Sequence, residues 1–322
     1  MSLETTELAC TSAPDDILHL IFQEPHPVTL IREARSPDGG SIWVFQDSII
    51  AQDAQISGSP MTCYYVDKDP GFQKGPTIHV LYMNEDRQLM EKVKHLEGGT
   101  PIWTDVKVPD DIKKRPDLIS RLTGGAFNGN SGWSVNGSQW VYFTQGQDGQ
   151  LGIAEIRRSG GKDWYFQRIL HEKQGELLQG TSLACMISEK NIKVFFQHHD
   201  GSICLYEYKD GDWHDQGVYV KKEEVQPPYQ NPTPLACTMT KNGCIHLFFA
   251  GFDKNNKHKI RHYKDGKKQE DVTDFFSGSK LGCTSDNNEV TLFYRKKQPK
   301  NDVGTMVYSD GKWKDGAIVI PA

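Results

Sequence analysis

The chain has little that would tie it to a membrane, a nucleic acid or a covalent framework. No apolar run approaches the roughly 18 residues a helix needs to cross a bilayer. The opening residues, MSLETTELAC, hold neither a basic segment nor an apolar one, so no secretory leader is read there. A formal net charge of −5 favours neither nucleic acid nor an anionic membrane. The short basic run Arg295-Lys296-Lys297 reads as a solvated loop. Seven cysteines include no Cys-x-x-Cys pair and cannot all pair within one chain. They imply free thiols in a reducing compartment, hence a cytoplasmic location. The sequon Asn136-Gly137-Ser138 carries little weight without a leader.

Catalytic signatures are missing too. There is no Gly-x-Ser-x-Gly elbow, no phosphate-binding loop and no dinucleotide fingerprint. Eleven histidines include no His-x-x-x-His pair on a helical stretch and no Cys/His group at zinc spacing. His198 and His199 are adjacent and would point to opposite faces of a strand. Neither a metal nor a cofactor is expected. Helical periodicity is nearly absent; only VPDDIKKRPDLIS, from Val108 to Ser120, suggests a turn of helix.

What the sequence does have is repetition. Leu8-Ala9-Cys10 recurs as Met61-Thr62-Cys63, Leu122-Thr123-Gly124, Leu183-Ala184-Cys185, Leu235-Ala236-Cys237 and Leu281-Gly282-Cys283, at intervals of 46–61 residues. Each copy precedes a β-branched and aromatic run: HLIFQ from His19, HVLYM from His79, WVYFT from Trp140, KVFFQ from Lys193, HLFFA from His246 and TLFYR from Thr291. A third strand-like run follows, and the unit usually closes on a Gly or Asp turn before a tryptophan, as at Trp43, Trp164, Trp213 and Trp313. Blade five has Lys268 there instead.

About four short antiparallel strands in each of six units predict an all-β fold, a six-bladed β-propeller in one domain over residues 1–322. The blades fall at approximately 1–57, 58–116, 117–178, 179–230, 231–276 and 277–322. Each is one contiguous segment, so the sixth must pack on the first to close the ring. The tripeptide then marks the innermost strand, where space is tight and cysteine serves as a small apolar residue. The loops Lys107–Ser120, His171–Gly180 and Val220–Thr233 are long for connections between blades, and such loops often carry function.

The second and third strands together resemble the fungal fucose-specific lectins, which form six-bladed propellers. IREAR, from Ile31 to Arg35, and IAEI, from Ile153 to Ile156, match that family's middle element. The nine-residue step from Glu155 to Trp164 is also one the family uses. The resemblance implies a sugar site in which an Arg and a Glu bind hydroxyls beside an aromatic ring. The Arg position holds His19, His79, Trp140, Lys193, His246 and Thr291 here. The Glu position holds Glu33, Glu91, Glu155, Leu205, His262 and Thr305. No blade keeps both members of the pair. An imidazole cannot replace a five-donor guanidinium. His19 with Glu33, and His79 with Glu91, are left as modified polar-ligand sites, with Trp140, Glu155, Tyr64 and Tyr65 as further ligand-contact candidates.

The chain is also similar to the lectin-like hetero-Diels–Alderases of fungal biosynthesis, which join a tropolone quinone methide to a humulene-type terpene. This resemblance implies a cyclase acting on small hydrophobic substrates, with no metal and no covalent intermediate. Such a reaction needs positioned partners and a hydrogen bond to the heterodiene oxygen. His246, His262, Lys193 and Tyr229 are the candidate donors. The alternatives are a glycan-binding lectin with diverged sites, or a protein-binding scaffold. Neither a nucleic-acid nor a membrane partner is expected, and the sequence leaves room for an oligomer.

Overall fold

In the computed structural model the chain is nearly all β and forms six sheets arranged as a ring, a six-bladed β-propeller. It describes residues 7–321 apart from 25–28, 57, 98–101, 118, 130–132, 148–149, 162, 171–175, 226–231, 277 and 297–301. Blade one holds β1 (Leu8–Ala13), β2 (Ile17–Gln23), β3 (Ile31–Ser36) and β4 (Val44–Ala51). Blade two holds β5 (Met61–Val66), β6 (Thr77–Met83), β7 (Leu89–His95) and β8 (Trp103–Val106), then the single turn of helix α1 (Asp110–Lys113), inside the one segment where helix was expected. Blade three holds β9 (Leu122–Ala126), β10 (Gln139–Gln147), β11 (Gln150–Arg158) and β12 (Tyr165–Ile169). Blade four holds β13 (Leu183–Ile187), β14 (Ile192–Gln197), β15 (Ile203–Lys209) and β16 (Asp212–Val220).

Blade five holds β17 (Leu235–Met239), β18 (Ile245–Phe252) and β19 (His258–Lys264), with its outer strand split into β20 (Lys267–Lys268) and β21 (Thr273–Asp274). This is the blade whose closing turn lacks a tryptophan. Blade six holds β22 (Leu281–Asp286), β23 (Glu289–Arg295), β24 (Val303–Ser309) and β25 (Lys312–Ile320).

Local sequence explains the hairpins. Asp210-Gly211, Asp265-Gly266 and Asp310-Gly311 join the third strand to the outer one in blades four, five and six, and both residues of each pair have positive φ, 49–55° for Asp and 74–91° for Gly. That is the two-residue turn whose twist matches the flanking strands. The second strands read as continuous apolar runs because both of their faces are covered. On β2, Leu20 joins Phe293 and Val319 of blade six in one cluster, while Ile21 joins Ile78 and Val80 of blade two in another. The core is thus a set of layers between adjacent blades.

The ring closes where β22 lies against β1. There the Ser12 hydroxyl donates to the Ser285 carbonyl at 2.9 Å, and Thr284 donates to Ser12 at 3.2 Å. The six recurring tripeptides line the axis, around a channel of about 120 Å³. Burial pushes the Cys185 thiol up to about 12, and Cys10, Cys63, Cys237 and Cys283 are raised by the same cause. They are unreactive packing groups at neutral pH.

Gly124 shows why the third blade breaks the pattern. A Cβ there would lie 2.9 Å from Val141 Cγ2 and 3.0 Å from the Trp140 carbonyl oxygen. Gly124→Cys, which would regularise the repeat, is therefore expected to cost about 1–3 kcal/mol. The midpoint of urea unfolding reads this directly; an unchanged midpoint would mean that the wall yields without cost.

Candidate functional site

The strand register places the two candidate positions identically in every blade. His19, His79, Trp140, Lys193, His246 and Thr291 pair directly with Arg35, Val93, Arg157, Glu207, Lys264 and Val307. Glu33, Glu91, Glu155, Leu205, His262 and Thr305 pair with the residues two further along the second strand. Residues in this relation are diagonal neighbours on one face, facing the next blade.

Between blades one and two, His19 Nδ1 lies 2.6 Å from Glu33 Oε1. Blade two then fills the cleft: Lys94 Nζ donates to both Glu33 oxygens, at 3.0 and 2.8 Å, and the Trp103 indole donates at 3.3 Å. Glu33, His19 and Lys94 are all buried. Burial alone would raise the Glu33 carboxyl, but His19 and Lys94 outweigh it and hold it below the usual range. His19 is lowered, burial outweighing Glu33.

Between blades two and three the arrangement repeats with an arginine. His79 Nδ1 is 2.8 Å from Glu91 Oε1, and its Nε2 is 2.6 Å from Asp69 Oδ2. Arg158 of blade three grips Glu91 with two donors at 2.7 and 3.2 Å and reaches Gln139 Oε1 at 2.7 Å. The Trp164 indole donates to Glu91 at 2.7 Å. Tyr64 stacks on His79 with ring centroids 5.4 Å apart, and its hydroxyl donates to Gln139 at 3.0 Å.

The third carboxylate is different. Glu155 accepts from the Tyr142 hydroxyl at 3.0 Å, and its nearest cation, Arg168, is half exposed and 3.9 Å away. Burial therefore wins and pushes Glu155 up to about 6. Trp140 is buried there, with the Arg157 guanidinium 4.9 Å from its ring. Tyr208 and Trp213 of blade four close the other side.

In the remaining clefts the polar residues pair with one another or are simply buried. Lys193 is salt-bridged to Glu207 of its own blade, and Leu205 is buried. His246 Nδ1 is 2.9 Å from His262 Nε2, with Tyr308 and Trp313 of blade six against them. Thr291 and Thr305 are buried where Trp43 of blade one meets Phe293. Tyr65, half-buried, donates to Asp67 at 3.2 Å. Tyr229 lies outside the described residues.

One further position decides how each cleft is filled. It lies three residues after the Glu position and holds Ser36, Lys94, Arg158, Tyr208, Asp265 and Tyr308 in blades one to six. Lys94, Arg158, Tyr208 and Tyr308 each project into the cleft of the preceding blade. Trp103 joins them through a longer spacing than the other tryptophans. Extending the third strands to three residues past the Glu position brings this row into register in the sequence.

The start of the inner strands is built otherwise. Leu8, Met61, Leu122, Leu183, Leu235 and Leu281 form an apolar ring at the end of the channel where the between-blade loops arrive. The residues before them are Glu7, Pro60, Arg121, Ser182, Pro234 and Lys280, and together the two rings enclose a recess of about 60 Å³. Glu7 Oε1 receives both Arg121 Nη1, at 2.7 Å, and Lys280 Nζ, at 3.1 Å. Lys280 and Arg121 together outweigh burial and hold the Glu7 carboxyl low. Neighbouring loops abut beside this mouth, with Ile119 and Pro232 both close to Gly180.

No family model and no curated protein matches the chain by sequence. Solved structures do match its shape. AofleA from Arthrobotrys oligospora superposes with a TM-score of 0.74 at 18% identity, over 98% of this chain and 87% of its own. The Aleuria aurantia lectin, solved with Fucalpha1-6GlcNAc, gives 0.74 at 17% identity over 98% and 96%. A lectin from Burkholderia pseudomallei gives 0.62 at 10% identity, over 99% of each chain. At these identities the likeness is one of fold: the six-bladed propeller of fungal fucose-specific lectins.

Proposed function

We propose that the chain binds largely apolar small molecules over the mouth on its long-loop face and promotes a cycloaddition there, of the hetero-Diels–Alder type that the second resemblance implies. The observation behind this reading is a contrast between the clefts between blades and the mouth at the start of the inner strands. In the clefts, the carboxylates of Glu33 and Glu91 are spent on Lys94 and Arg158 from the neighbouring blade and present no open pair to a sugar. At the mouth, six Leu and Met side chains form an apolar floor with two cationic donors at its rim. An apolar surface with a few convergent polar groups is the usual make-up of a small-molecule site. The axial channel, at about 120 Å³, is smaller than such sites, so the substrates lie over the mouth and not within the channel.

The chemistry asked of the protein is modest. Apolar groups of the loops beside the mouth, such as the exposed Ile119, would hold the hydrocarbon partner and exclude water, above the buried ring of Leu and Met. Arg121 or Lys280 would donate to the oxygen of the heterodiene and lower its acceptor orbital, and fixing both partners in a reactive pose supplies the rest. Purified protein incubated with a quinone-methide precursor and a humulene-type terpene is expected to speed adduct formation or set its stereochemistry, and Arg121→Ala to weaken that effect. A product distribution and rate matching the spontaneous reaction would sink this reading.

A second reading is glycan binding at diverged sites. It is favoured by a groove of about 340 Å³ between blades one and two, with Ile49 and Met90 as apolar walls. The Tyr82–Asp53 pair at 2.7 Å and the Lys92–Asp105 pair at 2.6 Å supply its polar groups. The lectins of similar fold bind fucosides, as their names state. Saturable micromolar binding to immobilised fucosides would favour this reading over the first.

A further inference from the structure

We infer that the long-loop mouth selects an amphipathic anion: a ligand with an apolar body and one ionised oxygen, such as a phenolate, enolate or carboxylate. This rests on the mouth being the ligand site, and not on any reaction taking place there. The argument is one of charge and size. Three charged side chains converge on the axis from three different blades, Glu7, Arg121 and Lys280. Both cations bind the same carboxylate oxygen, Glu7 Oε1, at 2.7 and 3.1 Å. Among the described residues of this mouth, one carboxylate against two cations leaves a surplus positive charge at the rim of an apolar ring.

The surplus is reachable. The side chains of Arg121 and Lys280 are 31% and 23% exposed, against 11% for Glu7. A guanidinium carries five donors and an ammonium three, so most remain for a ligand. Burial and the nearby Arg121 both hold Lys280 below its ordinary range, and Glu7 does not fully offset them. A second negative charge would relieve that strain. The recess of about 60 Å³ admits a head group and no more, so the body of the ligand must lie outside it, over the loops beside the mouth, where Ile119 is exposed. A neutral polyol gains nothing from the surplus charge, and a cation is repelled by it.

The test is calorimetric titration with naphthoate, its neutral isostere naphthamide, and inorganic phosphate, at low salt and neutral pH. Naphthoate is expected to bind about tenfold tighter than naphthamide, the worth of one charge-assisted hydrogen bond. Phosphate, which lacks the body, should bind more weakly than naphthoate. Glu7→Gln removes the competing carboxylate, so it should tighten naphthoate by about tenfold and leave naphthamide unchanged. Arg121→Gln with Lys280→Gln should erase the preference for the acid, with circular dichroism checking that the sheets persist. Equal affinity for acid and amide in the wild type, a preference that survives the double variant, or no gain in Glu7→Gln would each overturn the inference. Phosphate binding as tightly as naphthoate would overturn its amphipathic half. Naphthoate binding by a chain that fails to speed the cycloaddition would leave this inference standing while the catalytic reading falls.

Discussion

Arg158→Ala is expected to destabilise the protein by about 3–5 kcal/mol, the usual cost of stripping one partner from a buried ion pair. The guanidinium spans blades two and three, donating to both Glu91 oxygens and to Gln139 while lying 4.7 Å from the Trp164 ring. Without it, Glu91 and Asp69 are two buried carboxylates sharing one imidazole, His79. The cost comes from the charge left behind, so removing the charge should recover much of it. Glu91→Leu combined with Arg158→Met is expected to lie well above Arg158→Ala in stability. Guanidinium unfolding midpoints at neutral pH make the comparison. If the double variant is no more stable than the single one, lost packing on Trp164 and not the stranded carboxylate carries the loss.

The second large effect is a sensitivity to acid located in one cleft. Burial, aided for each by Lys264 and for His262 by His246, lowers His246 to about 4 and His262 to about 3, from an ordinary 6.5. Asp265 is the one group raising His246, and Phe248, Tyr308 and Trp313 pack on the pair. Both folded values lie below the unfolded one. No penalty exists above about pH 6.5; below it the unfolded chain takes up two protons that the folded chain refuses. At about 1.4 kcal/mol per pH unit for each group, the loss approaches about 4 kcal/mol between about pH 6 and pH 4.5.

Other groups can be told apart by their windows. His19, also lowered, adds loss of the same sign. Glu7, Glu33 and Glu91 are held below 4.5, so their contributions disappear only under more acid conditions. Glu155, raised to about 6, works the other way and gains as pH falls toward 4.5. Replacing both His246 and His262 with Phe should therefore flatten the stability curve between pH 6 and 4.5 by up to two protons' worth of slope. A double variant as acid-sensitive as the wild type would show that the slope originates elsewhere.

Most of the fold was legible because a repeated unit is its own alignment. Leu-Ala-Cys marked the inner strands, and the strand register carried the His19 and Glu33 equivalents to matching places in every blade. What the sequence could not show is a relation between blades. Lys94 is unremarkable on β7, and only packing of blade two on blade one turns it into the partner of Glu33. The same holds for Trp103 and Arg158. The Glu7–Arg121–Lys280 cluster was hidden for a related reason. Its members are 114 and 159 residues apart along the chain and meet because each precedes an inner strand at the same end of the ring. His246 and His262 were expected as donors to a substrate; they are buried against each other and against aromatic rings of blade six.

The seam between blades six and one has a consequence for biogenesis. Every other blade finds its neighbour as soon as the next fifty or so residues emerge from the ribosome. Blade one has to wait for Phe293, Val303 and Val319 before its face bearing Leu20 and Phe22 is covered. At about 5–20 residues per second, that apolar face stays open for roughly 15–60 s. The nascent chain is then a string of nearly finished sheets with one sticky end, and that end is where a chaperone or a second nascent copy would engage it.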